Sequence, residues 1–177
     1  MPTLTEHSLR IRDENAADAH FIRSLFDEVR SADFAAAGLP ERELDQLLDL
    51  QFRAQTQQIA TAHPEATGVI LEIDGRAVGH AVVDRHASGL ELVDLAVLGS
   101  ERQRGIGTAY LRQLTDEADV SHRAVTLQVW FANTTARRLY ERFGFSATES
   151  GTGHLQLTRP AASPAASHAA GLTSVAR

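Results

Sequence analysis

Leu90-Glu-Leu-Val-Asp-Leu-Ala-Val-Leu98, followed directly by Gly99-Ser-Glu-Arg-Gln-Arg-Gly-Ile-Gly107, is the stretch that decides the fold. The first run is the most strand-like in the chain. The second sets glycines at 105 and 107 just ahead of an amphipathic helix, with Ile106, Tyr110, Leu114 and Ala118 on one face. Glycine lets a backbone bend closely around a ligand, and a helix start leaves several N–H groups without internal partners. Those donors, with the positive end of the helix dipole, suit a pyrophosphate. The dipole alone contributes only about 0.3–1 kcal/mol at an exposed site, so several amides must converge. Other phosphate loops fit badly. A dinucleotide fingerprint needs a small residue where Tyr110 stands, and no Gly-Lys-Ser/Thr triplet occurs. On two glycines alone, a plain turn before a helix remains the simpler reading.

Upstream, Leu9-Arg-Ile-Arg12 predicts an opening strand. Phe21, Ile22, Leu25, Phe26 and Val29 then mark one helix face. Pro40 suits the first turn of a second helix, whose stripe runs through Leu44, Leu47, Leu48, Phe52 and Ile59 to His63-Pro64. The period next changes to 2. Val69–Ile73 and Ala77–Val83 flank Asp74-Gly75, a strong hairpin turn. Downstream, Val125–Trp130 predicts a strand, and Asn133 caps a helix carrying Ala136, Leu139, Tyr140 and Phe143. Gly144 stops that helix, and residues 154–158 alternate once more. The order β-αα-β-β-β-α-β-α-β predicts an α+β fold with a mixed, partly parallel central sheet flanked by helices. Residues 1–159 form the expected domain. Residues 160–177, dominated by Ala, Ser and Pro, are expected to be a disordered tail.

The 177 residues fit one ordinary domain, and the absence of cysteine excludes a disulfide scaffold, a zinc ribbon and a cysteine nucleophile. A net charge of −6 is a poor match to phosphate backbones or anionic membranes and a mildly favourable one to cationic substrates. No segment approaches a membrane span, no leader pattern opens the chain, and the eight histidines show no metal-ligand spacing. A cytoplasmic protein without a metal is expected. His80 and His86 read as structural, and Trp130 as core or groove wall.

Arg102-x-x-Gly105-x-Gly107 resembles the acyl-coenzyme A binding motif of the GNAT superfamily of N-acetyltransferases. Val93–Val97 looks like that family's fourth strand, and Asn133-x-x-Ala-x-x-Leu139-Tyr140-x-x-x-Gly144-Phe145 resembles its second signature segment. One departure is Leu98-Gly99, where Asp-Pro is common; it bears on the shape of that turn. The resemblance, specific from about 90 to 146, implies a GNAT-like fold and acetyl transfer from acetyl-CoA to a primary amine of a small molecule or peptide. Transfer would be direct, in a ternary complex; the alternative is a non-catalytic acyl-CoA binding or sensing module. A nucleic-acid binding module conflicts with the charge and lacks interleaved basic and aromatic residues. Analogy extends to a homodimer.

By the same resemblance, Arg102, Gln103, Arg104, Gly105, Ile106, Gly107 and Thr108 would hold the donor's diphosphate, chiefly through backbone amides from Arg104 onward. Leu95, Ala96 and Val97 would pair with the pantetheine arm, and the Leu95 N–H would polarise the thioester carbonyl. Tyr140 would protonate the departing thiolate: a phenol has a pKa of about 10 and stays protonated at neutral pH. The ordinary alternative is a tyrosine packed with Leu139 and Phe143. Glu91 falls where some members carry a base, with Asp94 the alternative on the opposite face of the strand. For both, a solvated strand carboxylate is the plain reading. Asn133 would bond the arm or simply cap its helix. Acceptors in this family are gripped by the first two helices, here the region of Phe26, Arg30, Phe34, Glu43, Leu47, Gln51 and Phe52.

Overall fold

A computed structural model of the chain describes residues 9–34, 38–150 and 153–162. The expected tail from 163 onward lies outside them, whereas 160–162 carry no helix or strand. Among the described residues, seven strands and four α-helices follow one another: β1 (Leu9–Asp13), α1 (Ala19–Phe34), α2 (Glu41–Ala62), β2 (Thr67–Ile73), β3 (Arg76–His86), β4 (Gly89–Val97), α3 (Ile106–Val120), β5 (Ala124–Trp130), α4 (Thr134–Arg142), β6 (Ser146–Ser150) and β7 (His154–Arg159). The strand order β1-β2-β3-β4-β5-β7-β6 is mixed, with β4 and β5 the parallel pair, so the α+β class read from the sequence is the class observed. The sequence reading had six strands. It missed β6, Ser-Ala-Thr-Glu-Ser, because these residues show no apolar alternation to detect.

The chain divides into two compact units, 1–86 with 91–111, and 87–90 with 112–177. In the first, β1 pairs antiparallel with β2, and β2 with β3. Ile70, Leu71, Val78 and Val83 lie fully buried on these strands, joined by Leu25 of α1. The helices meet through Phe26 and Phe52, whose rings stand edge to face at 5.2 Å, a pairing that contributes about 0.5–1.5 kcal/mol beyond its buried area. Arg23 ties the same helices by donating to Asp49 at 2.8 Å. The α2 stripe buries little: only Leu48 is fully enclosed. In the second unit, β5 and β6 pair antiparallel with β7, and Val125, Leu127, Leu157 and Phe145 form the core. Trp130 is half exposed against Phe131 and His154, which corrects the core reading of that residue.

Candidate functional site

The turn after β4 is shaped by several restraints. The Leu98 N–H donates to Val78 O at 3.0 Å, and residues Gly99–Glu101 make a single 3₁₀ turn. The Gly99 N–H donates to Glu28 Oε1 of α1 at 2.5 Å. Glu101 is buried, and its carboxylate accepts from Arg76 of β3 and from Arg104. These arginines, Arg76 foremost, hold the Glu101 carboxyl below the usual range. Arg102 turns back to donate to Val97 O at 3.1 Å.

Next comes the glycine corner. Gly105 has φ +87°, and a Cβ placed there would meet nothing within 4 Å. The backbone bond that opens α3 runs from the Ala109 N–H to Gly105 O at 2.8 Å. The N–H groups of residues 106–108 therefore precede any intrahelical acceptor. Arg102, Gln103 and Arg104 are exposed and Gly105 is half-buried, so the corner is open to solvent. An anionic diphosphate fits such a set of donors.

A cavity of about 580 Å³ lies between α1, α2 and the strands. Phe26, Arg30 and Phe52 line it, as do Asp94, Leu95 and Ala96 of β4; Phe34, Glu43, Leu47 and Gln51 do not. Glu14, Gln55, Thr56, His63 and His80 add polar groups to its lining. His80, buried, meets Glu14 with Nε2 2.6 Å from Oε2. Gly68 makes room for that carboxylate: a Cβ at 68 would come within 1.9 Å of Glu14 Oε2. His63 Nδ1 lies 3.1 Å from Asp84 Oδ2 and 3.9 Å from Glu91 Oε2. Asp94, rather than Glu91, is thus the β4 carboxylate on the cavity wall, while Glu91 meets a residue that lines it. Desolvation pushes the Asp94 carboxyl up; His80, Arg30 and the Leu95 N–H pull weakly the other way.

Sequence reasoning missed Glu14, His63 and Asp84 and gave His80 only a structural part. Glu14 follows β1, His63 follows α2, and His80 and Asp84 lie on β3, so no local spacing signals the group. In the second unit, Asn133 Oδ1 accepts from the Ala136 N–H at 3.1 Å, the expected cap. Tyr140 is buried, its ring 5.8 Å from that of Phe145. Among the described residues, no group of three or more His, Cys, Asp or Glu is placed to hold a metal ion, and no helix is long and apolar enough to cross a membrane.

Comparison with known proteins bears directly on this corner. The family model described as the acetyltransferase (GNAT) family matches residues 21–145, which include β4, the glycine corner and α4. An uncharacterized N-acetyltransferase of Methanocaldococcus jannaschii is 35% identical over 80 residues, 43% of this chain and 50% of that protein. The chain therefore spans about half the length of this curated relative. Among solved structures, the PaiA N-acetyltransferase of Thermoplasma acidophilum in complex with coenzyme A superposes with a TM-score of 0.67 at 14% identity, covering 86% of this chain and 99% of that one. A histone acetyltransferase HPA2 and related acetyltransferase of Corynebacterium glutamicum gives 0.65 at 23% identity, covering 89% and 98%. The likeness to both lies in the fold, and with the family match over most of its length the chain belongs to the GNAT acetyltransferase family.

Proposed function

We propose that this protein is an N-acetyltransferase that moves an acetyl group from acetyl-CoA to a primary amine by direct transfer in a ternary complex. The observation that carries the reading is the open glycine corner, where the amides of residues 106–108 stand ahead of the Ala109-to-Gly105 bond in a chain of this family. The coenzyme A bound to the Thermoplasma relative supports the choice of donor. The thioester supplies an activated acetyl group, so that a C–N bond to the acceptor replaces the C–S bond.

The chain's own groups divide the remaining work. Backbone amides from Arg104 to Thr108 hold the diphosphate, with Arg102 and Gln103 at the loop's entrance. Leu95, Ala96 and Val97 pair with the pantetheine arm, and Asn133 adds a polar contact while capping α4. The Leu95 N–H donates to the carbonyl oxygen where negative charge develops. A β4 carboxylate, Glu91 acting through water or its alternative Asp94 on the cavity wall, removes the acceptor's ammonium proton, leaving the nitrogen lone pair free to attack. The Tyr140 hydroxyl donates its proton to the departing sulfur and regains one from solvent, which takes up the second proton shed by the acylated nitrogen. Fixing both substrates in line is the largest contribution, since effective molarities of about 10⁵ M or more are reachable.

The test joins calorimetry with coenzyme A to a thiol-release assay over a broad panel of amines. Tyr140→Phe is expected to lower turnover about 100-fold while donor affinity persists. Full turnover in that variant removes Tyr140 from the mechanism. Donor binding without turnover of any amine favours a binding module, and no donor binding at millimolar levels ends the proposal.

A further inference from the structure

The apolar faces of α1 and α2 are not used up by packing. Ile22, Phe26, Val29, Phe52 and Ile59 are only half-buried, and all five line the 580 Å³ cavity. That volume falls in the range of small-ligand sites, about 300–1,000 Å³, whose walls are mostly apolar with few polar groups. The two acidic groups share one wall. Asp94 adjoins Leu95 and Ala96 on β4, and Glu14 reaches the same wall through its 2.6 Å contact with His80. That end of the cavity carries two carboxylates beside the backbone proposed to meet the thioester, and the helices supply a mostly apolar remainder in which Arg30, Gln55 and Thr56 are the polar groups.

We propose that the acceptor taken by this cavity is a primary amine with one cationic nitrogen and an apolar body, an arylalkyl- or alkylamine. Its nitrogen lodges against Asp94 and Glu14, and its body lies along the wall to which Phe26 and Phe52 contribute. The choice of substrate rests on the acetyl-transfer reading above, whereas the binding itself rests on the cavity alone. A desolvated carboxylate gains most from a partner that restores its lost hydrogen bonds, and an ammonium does so. A polyamine fits poorly, because its further charges would be drawn among apolar walls. Peptides and polar amines leave the helix faces uncovered. Arg30 adds a cation to the lining, so an amino acid is the sharpest competitor: its carboxylate has somewhere to go.

Two measurements on the full chain decide the matter. In thiol release with acetyl-CoA, 2-phenylethylamine is expected to exceed ethylamine and spermidine in kcat/KM by about 100-fold, the discrimination that a buried aromatic body supplies. Spermidine, ethylamine or phenylalanine as the better acceptor would overturn the inference and leave acetyl transfer standing. The second measurement needs no donor. Calorimetry compares 2-phenylethylamine with 2-phenylethanol, its neutral counterpart, on the native chain and on Asp94→Asn. The native chain is expected to prefer the amine by about 10-fold or more, and the variant to lose that preference while still binding the alcohol. A general folding defect would weaken both ligands alike. If neither ligand binds the native chain, the cavity assignment fails whatever the donor does. If both behave as expected but coenzyme A does not bind, the cavity assignment survives and the acetyl-transfer reading falls.

Discussion

Asp94 is under two opposed demands. Burial holds its carboxyl above the ordinary value of 3.8, so the ionised form weighs against the folded state. The sign follows from linkage. Below the unfolded-state value the group is protonated in both states and costs nothing. As pH rises through the folded-state value the penalty grows, and it is complete above it. Asp94→Asn is therefore expected to raise the thermal midpoint at pH 7, by about 2–4 °C for each kcal/mol of desolvation relieved in a chain of this size. The gain should vanish when the scan is repeated below pH 3.8, and an unchanged or lower midpoint at pH 7 would contradict the assignment. A residue retained at a cost to stability is one mark of a site. The sequence placed Asp94 on its strand, and alternation set it opposite Glu91. What it did not show was the company: Glu14 follows β1, His80 sits on β3, and nothing in their spacing draws them toward β4. Local periodicity reports which side of an element a residue takes, and not which other elements come to meet it.

The glycine corner belongs to the scale of the element. Gly105 has φ +87° with open space around it, so Gly105→Ala incurs backbone strain and no clash. That strain is about 1–2 kcal/mol for an L-residue, enough to weaken donor binding by roughly 10-fold where the amides must hold their directions. Calorimetry with coenzyme A checks it, and unchanged affinity would show that the corner does not bind the diphosphate. The corner was legible because its demands are local: glycine where φ is positive, then a helix start. The Asp74-Gly75 hairpin and the Asn133 cap were legible for the same reason. The α2 stripe was legible too, but its meaning was not. An apolar face looks the same in sequence whether it packs into a core or, like that of Phe52 and Ile59, borders a cavity. Leu98-Gly99 shows the converse. Although it lacks the usual Asp-Pro, its turn is fixed from outside by Val78 and Glu28.

Across the whole molecule, charge pairs decide behaviour in acid. Arg12 bonds the Asp18 carboxylate at 2.8 and 2.7 Å, which lowers that carboxyl from 3.8 to about 2. Arg76 lowers Glu101, and Arg159 lowers Asp119. Groups lowered on folding contribute stability that is fully present above their unfolded values, 3.8 for Asp and 4.5 for Glu, and is lost as pH falls through the folded ones. The contribution of these three carboxylates to the thermal midpoint should hold steady from pH 7 to about 5 and fall away below about 4. Asp18→Asn should lower it at neutral pH, with the difference from the native chain closing between pH 3.8 and 2. A difference that persists unchanged at pH 2 would place the contribution elsewhere. Composition and charge read from the sequence bounded the class of molecule, and two backbone-defined segments identified its family. The cavity was foreseen only in part, through Phe26, Arg30 and Phe52, because its walls are assembled from residues far apart in the chain. One strand escaped for another reason. At the end of the strand order, β6 has Ser146, Ala147 and Thr148 exposed, and among the described residues no further strand pairs with its outer edge. A bare edge of that kind offers a passing chain backbone groups to bond but little greasy surface to cling to. The blandness that concealed β6 makes this end of the sheet a weak template for adding strands and growing into fibres.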